Sequence, residues 1–137
     1  MRNLIPLTVA SAAILLTSCT MTPAETARAN EARAADQAAL GRELAGLRPA
    51  ETKDCIDRFQ SSSLKAYGGT LVYSVSSKLK YVNDTGGGCE GVERGDILLT
   101  KSPSGRLCRG DQATTLMQTS QTPTGSCSLG SFTVYRP

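Results

Sequence analysis

The segment Thr70–Asn83, with the sequence TLVYSVSSKLKYVN, carries the clearest structural pattern in the chain. Apolar and polar residues alternate along it, and this period of two predicts half-buried β-strands at Thr70–Ser76 and Lys78–Asn83. The apolar face of the two strands carries Leu71, Tyr73, Val75, Leu79 and Tyr81. The break at Ser76-Ser77 predicts that the two strands form a hairpin.

Similar short runs surround this hairpin. They predict strands at Gly95–Lys101, Thr114–Gln118 and Ser131–Arg136, and a strand or a short helical turn at Cys55–Gln60. Turn signals separate these runs at Gly68-Gly69, Asn83–Gly88, Ser102–Gly105 and Pro123–Gly125. Short, closely spaced strands predict a mainly β fold: a small antiparallel sheet or a curled barrel, preceded by one N-terminal helix.

The chain has five cysteines, and four of them follow position 54. In an exported protein an even set predicts two disulfides, each contributing ~3–4 kcal/mol to stability. Three pairings are possible. We favour Cys55–Cys127 with Cys89–Cys108, which joins the ends of the domain and links its middle. Because histidine and CxxC spacing are both absent, the sequence predicts no metal site and no cofactor.

Residues 1–18 have the pattern of a secretory signal peptide. A basic start precedes an apolar run of 13 residues, Leu4–Leu16, which is shorter than the ~20 residues needed to span a bilayer. The following Leu16-Thr17-Ser18-Cys19 resembles the bacterial lipobox. The resemblance implies cleavage before Cys19, lipid on its thiol and amine, and membrane attachment in the cell envelope, facing the periplasm. Thr20, where aspartate would favour the inner membrane, implies the outer membrane.

A helix is predicted next. Thr22, Pro23 and Glu25 form a helix start with a capping box, and good helix formers continue to Leu47, before Arg48-Pro49 ends the helix. Its apolar face is mostly alanine, which favours a solvated spacer over a partner-binding helix. The sequence thus divides into a signal peptide (1–18), a lipid-anchored helical tether (19–53) and a disulfide-stabilised β domain (54–137).

Several functions find little support. A net charge of +3 is too small to indicate nucleic-acid binding. Gly86, Gly88 and Gly91 spell GxGxxG, but no helix of the required length follows. The nearby acids lack EF-hand spacing, so solvated loop carboxylates are expected rather than a calcium site; they are Asp84, Glu90, Glu93 and Asp96.

The sequence also lacks the usual catalytic base, because a serine or cysteine nucleophile normally needs a neighbouring histidine and the chain has none. We therefore predict a protein that is not an enzyme, and expect a binding or structural module. A basic face toward anionic lipid or glycan is an alternative to an ordinary polar sheet surface; its candidates are Lys78, Lys80, Arg94, Lys101, Arg106 and Arg109.

Short motifs from residue 54 onward resemble a family of small secreted proteobacterial proteins of unknown function, many of them lipoproteins. The motifs are Cys55-Ile56, Thr70–Tyr73, Tyr81–Asp84, Cys89–Val92, Leu107-Cys108 and Cys127–Phe132. This resemblance implies an exported four-cysteine domain and no particular activity. Separately, Ser102–Gly105 resembles the Ser-x-Ser-Gly loop of membrane-bound lysozyme inhibitors, which implies inhibition of cell-wall hydrolases as an alternative function. Arg106 follows this loop, whereas those inhibitors carry a tyrosine shortly after the glycine.

Overall fold

A computed structural model describes residues 20–137, within which one α-helix and a 3₁₀ turn accompany ten strands. In chain order these are α1 (Pro23–Glu43), β1 (Arg48–Lys53), β2 (Cys55–Ile56), β3 (Ser63–Tyr67), β4 (Thr70–Ser76), β5 (Leu79–Asp84), the 3₁₀ turn (Glu90–Arg94), β6 (Ile97–Lys101), β7 (Leu107–Cys108), β8 (Gln112–Leu116), β9 (Pro123–Ser128) and β10 (Phe132–Arg136). The predicted mainly β class with one helix is confirmed. The signal peptide and Cys19 lie outside the described residues.

The predicted hairpin is the centre of a five-stranded antiparallel sheet with the order β1-β10-β5-β4-β3. Tyr73 and Tyr81 are direct partners across β4 and β5, as their alternation predicts. The inner face of this sheet forms the main core, in which Phe132 is fully buried and meets Tyr73 edge-on at 5.8 Å between ring centres. Aromatic pairs prefer this edge-to-face arrangement.

The C-terminal half of α1 lies against the outer face of the same sheet, mainly at β3. The predicted capping box is confirmed at Thr22 and Glu25. The predicted extension of the helix to Leu47 is wrong, because α1 ends at Glu43 and Gly46, with a φ of +80°, turns the chain into β1. The first half of the helix is exposed, while Glu43 reaches the sheet.

Residues assigned to the tether by sequence thus include an edge strand of the sheet. β1 pairs with β10 along Arg48–Lys53, and a bulge lies between Pro49 and Glu51. Proline is tolerated in an edge strand because its missing N–H is not needed by a second neighbour. The strand contains no large apolar residue, and it was therefore missed by the alternation pattern.

A smaller sheet, with the order β6-β8-β9, and a two-stranded β2–β7 ladder complete the fold. The strands of the described residues form three separate sheets, so the curled-barrel alternative is not what the structure has. The predicted turn at Pro123–Gly125 is also wrong, since these residues begin β9. The irregularity that Pro123 and Gly125 signal is a register shift in the pairing of β8 with β9.

Two disulfides form, as predicted, but the favoured pairing of Cys55 with Cys127 and Cys89 with Cys108 is wrong. The bonds join Cys55 to Cys108 and Cys89 to Cys127. The reason is topological: the β2–β7 ladder places Cys55 directly opposite Cys108. Cys127 points from β9 into the interior of the small sheet, where the buried Cys89 precedes the 3₁₀ turn.

Within residues 20–137, none of the helices has the length and hydropathy required to cross a membrane.

Candidate functional site

A groove lined mainly by polar and charged residues lies beside the Cys55–Cys108 disulfide and has a volume of about 370 Å³. This volume is within the range of roughly 300–1,000 Å³ typical of small-molecule sites. Its lining residues come from three separate parts of the chain; they are Lys53, Cys55, Ile56, Asp57, Gln60, Tyr81 and Arg106. We refer to it below as the Lys53–Arg106 groove.

Arg106 is positioned by the β2–β7 ladder. It lies two residues before Cys108, and its guanidinium donates a hydrogen bond of 3.2 Å to the backbone oxygen of Cys55. The disulfide between the same two strands holds β7 against β2. A guanidinium has five N–H donors, so this bond leaves others available to a ligand.

Lys53 ends β1 and brings the second cation. Its ammonium lies 3.4 Å from a carboxylate oxygen of Glu51, and the same oxygen accepts from Arg136 at 3.0 Å. These three side chains are 41–50% exposed, so their mutual attraction is weak in solvent. One carboxylate shared between two cations leaves a net positive charge at this end of β1.

The loop after β2 closes the groove on its other side. Asp57 accepts the backbone N–H of Phe59 at 3.0 Å, and the backbone of Gln60 bonds that of Asp57 at 3.3 Å, so the loop is a hydrogen-bonded turn. Within this turn Phe59 is 87% exposed. The chain has only two phenylalanines, and the other one, Phe132, is fully buried.

The floor of the groove includes the hydroxyl of Tyr81. It contacts the side-chain oxygen of Gln60 at 3.5 Å, longer than the usual range of about 2.5–3.0 Å for O–H···O bonds. The Tyr81 ring packs in the main core. A rigid ring therefore presents a loosely engaged hydroxyl to the groove.

A second and wider groove, of about 580 Å³, lies between the ends of β6 and β8. It is lined by Lys101, Ser102, Pro103, Gly110, Asp111 and Gln112. The carboxylate of Asp111 accepts the backbone N–H of Cys108 at 2.9 Å, so it serves the fold. This groove contains one cation and lacks the convergent donors of the Lys53–Arg106 groove.

The Ser102–Gly105 loop lies between the two grooves. The Ser102 hydroxyl donates to the backbone oxygen of Arg106, and Ser104 accepts the backbone N–H of Arg106 at 3.3 Å. The two hydroxyls also lie 3.2 Å apart. Both are thus engaged within their own loop, which fixes the base of Arg106.

The six basic residues considered from sequence do not form one face. Lys80 is taken up by Glu43 of α1, and Arg94 lies 3.9 Å from Asp96. Lys101 ends β6 directly before the Ser102–Gly105 loop, Arg106 and Arg109 follow the loop, and all three are exposed. Lys78 lies in the β4–β5 turn.

The glycine loop of the GxGxxG pattern encloses a disulfide. Gly88 has a φ of +96°, and a Cβ there would collide with the backbone oxygen of Ser126. Its N–H bonds the carboxylate of Glu90 at 2.9 Å, so the protein's own acid occupies the donor that a phosphate would need. A five-residue 3₁₀ turn follows in place of a crossover helix.

The nearby acids are engaged in local structure. Asp84 accepts the N–H of Gly86 at 2.9 Å, and Asp96 accepts the hydroxyl of Thr124 at 2.6 Å. Among residues 20–137, no group of three or more histidine, cysteine, aspartate or glutamate side chains is arranged to hold a metal ion.

The most strongly perturbed carboxyl group lies away from the groove. Hydrogen bonds from Lys80 and Lys65 lower the pKa of Glu43 to about 2. Glu43 accepts from Lys65 and from the Tyr67 hydroxyl, each at 2.9 Å, and its backbone oxygen accepts from Lys80 at 2.7 Å. This cluster fastens α1 to the sheet and has the character of a structural ion-pair network.

Sequence reasoning named Arg106 as a candidate cation but missed its companions in the groove. Lys53 was assigned to the tether, and Tyr81 to the core. Phe59 carried the only sequence signal, since it stands between polar residues in the segment Asp57–Gln60.

Comparison with known proteins gave no relative: no family model matches the chain, and no curated protein or solved structure is significantly similar to it.

Proposed function

We propose that this protein is a lipid-anchored module of the bacterial cell envelope that binds a glycan or protein of that compartment without catalysing a reaction. Cys19 carries the lipid and the domain faces the periplasm, with the outer membrane as the expected location. The observation that carries the binding role is the Lys53–Arg106 groove, where two cations, an amide and a phenol converge on a frame fixed by a disulfide.

The absence of a catalytic role is supported by where the reactive groups lie. Four cysteines are bonded in pairs, and the carboxyl group with the most depressed pKa, Glu43, is bonded to two lysines outside the groove. Of the groove's residues only Asp57 is a carboxylate, and it accepts a backbone N–H. These features fit recognition better than proton transfer, which needs a free base close to the reacting group.

Inhibition of cell-wall hydrolases, the alternative raised by Ser102–Gly105, has weaker support. An inhibitory loop must present its hydroxyls to the enzyme, and both serine hydroxyls here bond within the loop. We expect lysozyme to clear a suspension of cell walls at the same rate with and without the purified protein. Slower clearing would move support to the inhibitor.

The anchor is tested by feeding cells an alkyne fatty acid and comparing the full chain with Cys19→Ala. We expect label on the parent and none on Cys19→Ala, because the thiol is the attachment point. Ser18→Ala is the matched control, since it keeps a small residue before the cysteine and should remain labelled. Equal labelling of the parent and Cys19→Ala would contradict the anchor.

The binding role is tested in intact cells with a photo-reactive amino acid. Placed at Gln60, which lines the groove, it should give a defined adduct with an envelope component. Placed at Gln118, in the turn after β8, it serves as the control and should not give that adduct. The same adducts from both positions, or none from Gln60, would contradict a ligand site at the groove.

A further inference from the structure

We propose that the Lys53–Arg106 groove binds an anionic saccharide, with the charge of the sugar at Lys53 and Arg106 and its ring against Phe59. This proposal deepens the binding role proposed above and rests on it. It follows from three features: the charge of the lining residues, the exposed ring of Phe59 in the turn between the lining residues Asp57 and Gln60, and the neutral polar groups of the lining.

The first feature is the net positive charge of the residues that line the groove. The groove is lined by two cations, Lys53 and Arg106, and by one carboxylate, Asp57, so its lining carries a net charge of +1. Arg106 uses one donor on the oxygen of Cys55 and retains the rest. A guanidinium with free N–H groups matches the paired oxygens of a carboxylate or phosphate. Lys53 adds a second cation to the same groove, and it shares the carboxylate of Glu51 with Arg136.

The second feature is Phe59. Its ring is the most exposed of the large apolar side chains in the described residues, and the Asp57 turn holds its backbone. Exposing a phenylalanine this fully leaves a large apolar surface in water, which a ligand with an apolar face would cover. A sugar ring has such a face, formed by its C–H groups, together with polar edges.

The third feature is the hydrogen-bonding floor. The Tyr81 hydroxyl makes only a long contact with Gln60, and the Gln60 side-chain NH₂ has no bond within residues 20–137. Both groups can therefore take up hydroxyls of a ligand. Cations, an exposed ring and neutral polar groups side by side fit a charged sugar better than a simple anion or an apolar molecule.

The disulfide connects this site to the fold. Cys55 supplies the oxygen that anchors Arg106, and Cys108 lies two residues beyond Arg106 on the paired strand. The arginine is thus presented by a cross-linked ladder, and less conformational freedom is lost when it binds.

The test uses the full chain, purified as the cell makes it, in isothermal titration calorimetry. The ligands are oligogalacturonate, glucose 6-phosphate, inorganic phosphate and a neutral maltooligosaccharide. We expect binding of at least one charged sugar and little binding of the neutral sugar. The two charged sugars distinguish a carboxylate from a phosphate as the source of charge. Phosphate alone should bind more weakly than a charged sugar, because it cannot cover Phe59.

Two variants and two matched controls locate the site. Arg106→Gln should weaken binding by about tenfold or more, since hydrogen bonds to charged groups contribute roughly 1.5–3 kcal/mol. Arg109→Gln removes an exposed cation that does not line the groove and should leave affinity unchanged. Phe59→Ala should weaken binding several-fold, whereas Leu99→Ala, at another exposed apolar residue, should not.

The proposal is overturned if the neutral and charged sugars bind equally, if no charged sugar binds, or if Arg109→Gln and Arg106→Gln weaken binding to the same extent. A full effect of Arg106→Gln with none of Phe59→Ala would overturn the saccharide in favour of a simple anion. If no charged sugar binds in calorimetry but the photo-reactive residue at Gln60 still gives its specific adduct in cells, the general binding role stands and only the saccharide is refuted. The absence of both would remove that role as well.

Discussion

The two larger sheets of this domain are stabilised by different means. The five-stranded sheet buries large side chains, among them Phe132, Leu71 and Val134. The interior of the three-stranded sheet contains the Cys89–Cys127 disulfide, Ala113 and the buried Thr115. Hydrophobic burial scales with apolar area, so the first sheet can stabilise itself and the second needs a covalent bond.

Close backbone contacts also set the three-stranded sheet apart from the five-stranded sheet. At the small sheet, a Cβ on Gly125 would collide with the backbone oxygen of Gly88, so the loop before the 3₁₀ turn lies directly against β9. Such contact leaves no room for the side chains that normally supply burial energy. The glycines allow the backbones to pack closely, and this leaves little apolar area to bury. The disulfide therefore supplies stability that side-chain burial does not.

The largest effect is expected from removing the central aromatic side chain. Phe132→Ala should lower the free energy of unfolding by about 4 kcal/mol, because it deletes a fully buried ring and leaves a cavity. Chemical denaturation followed by circular dichroism measures the loss. Leu99→Ala, at a residue 51% exposed on β6, is the control and should change stability by less than about 0.5 kcal/mol. Similar losses from both would refute the contrast between the sheets.

Removing the small sheet's disulfide should have a more local effect. The double variant Cys89→Ala and Cys127→Ala should lose about 3–4 kcal/mol, because a bond spanning 38 residues no longer restricts the unfolded chain. Amide hydrogen exchange should show protection falling in β8 and β9 while β4 and β5 remain protected.

Phe132→Ala serves as the comparison in the same exchange experiment. It should lower protection in both sheets, since it acts through global unfolding. Uniform loss of protection in the disulfide variant would show that the two sheets open as one unit.

The outer faces of the sheets also differ, because within residues 20–137 the α-helix contacts only the larger sheet. Glu43→Gln should lower stability at pH 7 by about 2 kcal/mol, a value reduced for the solvent exposure of Lys65. The folded pKa of Glu43 is depressed from 4.5 to about 2, so its contribution is complete above pH 4.5 and is lost as the pH falls toward 2.

Denaturation of the parent and Glu43→Gln at several pH values tests this dependence. Their difference should shrink between pH 4.5 and 2 and vanish below that range. Glu31→Gln, at an exposed position of the same helix, should match the parent at every pH. A difference for Glu43→Gln that does not change with pH would contradict the ion-pair account.

The sequence alone predicted those elements whose structure depends on neighbouring residues in the chain. The β4–β5 hairpin follows from its alternating residues, and the helix start follows from Thr22 and Glu25. The β1 strand could not be found in this way, because its extended form depends on pairing with the C-terminal β10. The disulfide pairing and the groove share this origin: both require knowing that β2 lies beside β7, 53 residues apart at the cysteines.

The smallest effect concerns a polar atom inside the well-packed sheet. The Tyr73 hydroxyl is buried without a hydrogen-bond partner, and burial raises the pKa of Tyr73. A buried hydroxyl that has lost water without a replacement costs free energy, so Tyr73→Phe should raise the free energy of unfolding by about 1 kcal/mol. Tyr81→Phe is the control, because its hydroxyl faces the groove and contacts Gln60, and its removal should give no such gain.

A loss of stability in Tyr73→Phe, measured by the same denaturation, would mean that the Tyr73 hydroxyl has a hydrogen-bond partner in solution. The larger sheet would then owe part of its stability to a polar contact, and its contrast with the small sheet would be weaker.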